Sequence, residues 1–112
     1  MKTTLLVLLL GIWLSTPALA GEVVKHDIAW GANCYPSQDS YAIKLKNRTG
    51  HPVDFKVCLQ KKSGKWACYV SSNVYPGEIE PSSWGYYVCH GTGRAKWWWR
   101  DAGDYATRFP RP

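Results

Sequence analysis

From residue 41 onward the chain repeatedly alternates apolar and polar side chains. Tyr41, Ile43 and Leu45 fall on one side of such a segment and Lys44 and Lys46 on the other. Val53, Phe55, Val57 and Leu59 repeat the pattern against Asp54, Lys56 and Cys58. Near the C-terminus Ala95, Trp97 and Trp99 are set against Arg94, Lys96, Trp98 and Arg100. Successive side chains of a strand point to opposite faces, so these segments read as half-buried antiparallel strands. Strands are predicted over Val23–Trp30, Tyr41–Asn47, 53–60, 65–72, 84–90, 94–100 and 105–109, and no helical period is found. Turn residues separate them, among them Thr49-Gly50-His51-Pro52, Ser63-Gly64, Pro76-Gly77, Gly91-Thr92-Gly93 and Asp101-Ala102-Gly103-Asp104. About six or seven short strands with regular turn signals predict an all-β fold, a small antiparallel β-sandwich or open barrel. Pro110-Arg111-Pro112 reads as a loose tail.

The N-terminus is of another kind. Lys2 precedes an apolar run from Leu5 to Leu14, Ser15-Thr16-Pro17 breaks it, and Ala18-Leu19-Ala20 offers a small-x-small cleavage site. This is the pattern of a secretory signal peptide, and the run is shorter than the ~20 residues that span a bilayer. Cleavage after Ala20 would leave one domain of residues 21–112, secreted or periplasmic, with no membrane span. Its charge would be +5, the +6 of the whole chain less the one carried by Lys2.

A domain of this size has a marginal hydrophobic core, which makes the cysteines matter. All four, Cys34, Cys58, Cys68 and Cys89, follow the signal. An even count in a short exported chain predicts two disulfides, and no paired C-x-x-C or H-x-x-x-H spacing calls for zinc. Residues 53–72 read as a hairpin turning at Lys62-Ser63-Gly64, with Gly64 at the positive-φ position. A three-residue loop centred on Ser63 puts Cys58 opposite Cys68, which leaves Cys34 for Cys89.

The residues with the most chemistry are Arg94, Lys96, Trp98 and Arg100. Three consecutive tryptophans cannot share one core; with Trp97 and Trp99 inside, Trp98 stands outside among the cations. An indole beside guanidinium groups can stack on a sugar or base while the cations hold an anion, and it equally suits a protein–protein hot spot. Lys44, Lys46 and Lys56 also fall on polar faces, and neighbouring strands would join them to this group in one basic sheet surface. No nucleophile motif occurs, bridged cysteines leave no catalytic thiol, and no cofactor or metal is called for. Asn47-Arg48-Thr49 matches a glycosylation sequon. The expected function is therefore non-enzymatic binding of an anionic polymer or glycan. The alternatives are an extracytoplasmic inhibitor or immunity protein with a single protein partner, and a small ribonuclease using two of His26, His51 and His90.

Overall fold

The computed structural model of the protein describes residues 21–112. The expected signal peptide, residues 1–20, lies outside them. Among the described residues seven strands form: β1 Val23–Trp30, β2 Tyr41–Asn47, β3 Val53–Lys61, β4 Trp66–Val74, β5 Ile79–Glu80, β6 Tyr87–Val88 and β7 Gly91–Asp101. They make two antiparallel sheets. One is ordered β1-β2-β5, with β6 pairing the other half of the same β2 edge, and the second is β4-β3-β7.

The two central strands carry the alternation that the sequence displays, and their apolar faces meet to form a sandwich core. Tyr41, Ile43 and Leu45 of β2 and Val53, Phe55, Val57 and Leu59 of β3 are buried, joined by Val23, Val74, Tyr86 and Val88. Ala67, Tyr69, Ala95 and Trp97 pack against this core from the flanking strands. Each large aliphatic or aromatic side chain buried there contributes roughly 1.5–3 kcal/mol.

Both disulfides pair as the hairpin register requires, Cys58–Cys68 and Cys34–Cys89. Cys58 lies opposite Cys68 and Gln60 opposite Trp66. The turn closes with Lys61 N–H donating to Lys65 O at 2.8 Å, and Gly64 takes φ +92°. At the other turn Glu78 N–H donates to Tyr75 O at 3.0 Å and Gly77 takes φ +87°. Two such bridges are consistent with an oxidising compartment outside the cytoplasm. Among the described residues no helix is long and apolar enough to cross a membrane.

Three expectations need correction. Residues 84–90 form only the two-residue β6, because β5 and β6 share one edge of β2 and residues 81–86 must loop between them. Residues 105–109 form no strand, and the short β5 appears instead. Pro110-Arg111-Pro112 is tied down rather than loose: Lys56 Nζ donates to Pro110 O at 2.9 Å and Lys96 Nζ to Pro112 O at 3.4 Å.

Candidate functional site

The outer face of the β4-β3-β7 sheet collects most of the predicted site residues. Lys56 lies opposite Trp98 in the β3–β7 ladder, Cys58 opposite Lys96 and Asp54 opposite Arg100. Side chains of directly opposed residues share a face. Lys56, Lys96, Trp98 and Arg100 therefore stand together, with Arg94 on the same side of β7. The β3–β4 ladder adds Trp66 and Val70 to this face.

Cations and indoles alternate across it. Lys56 Nζ lies 5.8 Å from the Trp98 ring, Lys96 Nζ 5.3 Å from Trp66, and the Arg94 guanidinium 6.0 Å from Trp66. Such contacts are worth about 0.5–1 kcal/mol at an exposed site. A shallow groove of about 330 Å³, lined by Ala95, Lys96, Trp97 and Trp98, borders the β7 edge.

Residues 105–112 return across this face. Arg100 Nη1 donates to Thr107 O at 2.6 Å, and its guanidinium lies 5.2 Å from the Tyr105 ring and 4.6 Å from Phe109. The returning segment supplies main-chain oxygens to Lys56, Lys96 and Arg100 while bringing two further exposed cations, Arg108 and Arg111. Trp98 is half-buried on this face, and it is Trp99 that is the more open, at 37% exposure. Trp99 keeps the inner side of β7, opposite Phe55, but on this edge strand it is only partly covered. The Trp97 indole does turn inward and donates to Val23 O at 2.9 Å.

Asp54 is a buried acidic residue set among these cations. It is 1% exposed and accepts from Asn73 N–H at 2.9 Å, Gly103 N–H at 3.2 Å and Arg100 Nε at 3.2 Å. Burial pushes its carboxyl upward, but the two backbone donors and Arg100 outweigh that and hold it below its ordinary value. Its charge is thereby met internally, by Arg100 and the two backbone donors.

Lys44 and Lys46 do not belong to this surface. Strands β2 and β3 lie in different sheets, so these two lysines are on the outer face of the opposite sheet. Lys44 faces Asp27 across the β1–β2 ladder and lies 4.6 Å from the Trp84 ring. The basic residues are thus divided between two faces rather than gathered on one.

The histidines are also dispersed. His51 Nε2 pairs with Asp101 at 2.6 Å, and His90 Nδ1 with Asp39 at 3.1 Å. Val53 opposes Asp101 and Lys61 opposes Gly91, which puts these two pairs at opposite ends of the β3–β7 ladder. They do not form the two-imidazole arrangement that acid–base cleavage of RNA would use. His26 lies on β1 at the irregularity between Lys25 and Asp27.

Asn47 of the sequon has a structural role. It is fully buried, its Oδ1 accepts from Thr49 N–H and Oγ1 at 2.8 and 2.5 Å, and its Nδ2 donates to Val74 O at 2.8 Å. The folded chain offers no free amide there for a glycan.

Trp66 and the 105–112 segment are the site components that the sequence reading passed over. Trp66 was legible, since it lies two residues from Cys68 on the same strand and so shares its face. Residues 105–109 read as a strand and 110–112 as a loose tail, and nothing in that pattern places the segment across this face. Comparison with protein-family models, with curated proteins and with solved structures finds no match to this chain.

Proposed function

We propose that this protein is a non-enzymatic binding module whose outer β4-β3-β7 face takes an extended anionic polymer, foremost an acidic glycan. The reading is carried by the alternation of Lys56, Lys96 and Arg94 with Trp98 and Trp66 on one sheet face. Cations at this spacing attract charged groups along a chain, and indoles beside them supply stacking surface for rings. That main-chain oxygens of residues 107–112 already sit on Lys56, Lys96 and Arg100 supports it further. An oxygen-bearing chain segment fits the face.

The test is equilibrium binding of the oxidised protein to an anionic polysaccharide and to its neutral counterpart over a salt series. Affinity for the anionic chain should fall steeply with salt, because released counterions drive such binding. Arg94→Gln with Lys96→Gln should weaken it and flatten the salt dependence. Equal binding of the neutral chain, or indifference to both substitutions, would sink the proposal.

One observation favours a protein partner as the second reading. Ile28, Trp30 and Trp99 are 40%, 49% and 37% exposed on the β1 and β7 edge strands. Exposed aromatic residues on edge strands suit an interface hot spot. Recovery of one protein from native extracts through a high-salt wash, lost on Trp30→Ala, would support that reading over the polymer.

A further inference from the structure

A cavity of about 580 Å³ opens at the end of the sandwich where the β3–β4 turn meets the segment leading into β7. Its size is within the roughly 300–1,000 Å³ of small-molecule sites. Tyr69, Tyr87, Ala67 and Val88 give it an aromatic and apolar wall, and Lys61, Ser63 and His90 supply the polar groups. No acidic residue lines it.

His90 is held there from several directions. Its carbonyl accepts from Lys62 N–H at 2.7 Å, its Nδ1 meets Asp39 at 3.1 Å, and the following N–H, from Gly91, donates to Asp39 O at 2.8 Å. The preceding Cys89 is bridged to Cys34. Asp39 is itself fixed by the Ser37 hydroxyl and by Lys62 Nζ at 2.9 Å. His90 also takes φ +55°, a left-handed backbone that costs a residue with a Cβ and that favours glycine or asparagine. Strain of this kind concentrates where a side chain has a task. With Nδ1 turned to the Asp39 carboxylate, Nε2 is the ring nitrogen left for a ligand in the cavity that His90 lines.

We propose that this cavity binds an acidic monosaccharide, a hydroxylated ring bearing one carboxylate. The carboxylate goes to the Lys61 ammonium, which has no acidic partner among the described residues. A ring hydroxyl, which can donate or accept, hydrogen-bonds His90 Nε2, and Ser63 offers a second hydroxyl contact. The sugar ring lies on the tyrosine wall, which is stiffened by Tyr69 Oη donating to Tyr87 O at 2.7 Å. An apolar carboxylate would leave Nε2 unpaired. The site is separate from the β4-β3-β7 face, so the proposal does not rest on the polymer reading.

The test is an NMR titration of the oxidised protein with glucuronate, glucose and benzoate as probes, following the His90 imidazole and the Tyr69 and Tyr87 ring resonances. Glucuronate should bind saturably and about tenfold more tightly than either glucose or benzoate, since each lacks one of the two polar contacts. Lys61→Met should bring glucuronate to the level of glucose. His90→Asn, which keeps a left-handed backbone accessible, should weaken glucuronate and glucose and leave benzoate unchanged. Absence of saturable shifts with glucuronate would overturn the proposal. So would equal affinity for glucuronate and benzoate, or glucuronate binding that survives both substitutions. Lys61 is exposed on the turn, so Lys61→Met remains a fair variant should His90→Asn disturb folding.

Discussion

Replacing Asp54 with alanine removes the acceptor that joins three parts of the β4-β3-β7 sheet: the end of β4 through Asn73, the last turn of β7 through Gly103, and the Arg100 side chain. The Arg100 side chain is only 13% exposed, so its charge would be left nearly enclosed. Breaking a buried pair on one side costs about 3–5 kcal/mol. The lower end applies, because Arg100 Nη1 keeps the Thr107 carbonyl and the Gly103 turn can reach water. A loss of about 3 kcal/mol is a large part of the roughly 5–15 kcal/mol that stabilises a typical domain. With a urea dependence near 1 kcal/mol/M for a domain this small, the midpoint should drop by about 3 M. Asp54→Asn, which keeps one acceptor oxygen, should fall between the two. The Asp54 carboxyl is depressed in the fold, so its contribution is present above the ordinary aspartate value of about 3.9. That contribution is lost as the pH falls below this through the folded value. Wild type should therefore lose stability on acidification more steeply than Asp54→Ala does. A midpoint shift equivalent to less than about 1 kcal/mol, the net worth of one ordinary hydrogen bond, would refute this account of the Asp54 centre.

Paired cysteine-to-alanine variants should separate the two bridges. Loss of Cys34–Cys89, which spans 55 residues, should cost about 4 kcal/mol, and loss of Cys58–Cys68, which spans 10, about 3. Urea unfolding would expose an error if the short bridge proved the more costly. Gly91→Ala should destabilise by about 1–3 kcal/mol through overpacking. Its new methyl would come within 2.7 Å of Tyr41 Cβ and 3.1 Å of Val88 Cγ2. Gly50→Ala, with nothing within 4 Å, is the control. Thermal midpoints that shift alike in the two variants would show that the Gly91 contact is soft.

What could be read from the sequence divides by how far apart the determining residues lie. The faces of β2, β3 and β7 follow from alternation along a single strand, and the Cys58–Cys68 pairing follows from one short loop. Both are local, and both hold. Which sheet a strand joins is decided by packing partners far along the chain. The separation of Lys44 and Lys46 from Lys56 rests on β2 pairing with β1, β5 and β6 rather than with β3. Nothing in the pattern of residues 41–60 distinguishes those outcomes, since an alternating strand can take any antiparallel neighbour. The 105–112 segment poses the same difficulty in sharper form. It is held by its own carbonyl oxygens and two aromatic rings, through partners at Lys56, Lys96 and Arg100. Every residue has a carbonyl, so main-chain acceptors leave no trace in side-chain patterning; only the cations that receive them do. The run of Arg94, Lys96 and Arg100 around Trp98 thus points to the β4-β3-β7 face without revealing that part of its hydrogen-bonding capacity is used within the molecule. It follows that the cations differ in availability. Arg94 should dominate first contact with an anionic chain, while Lys56 and Lys96 join only as residues 110–112 give way.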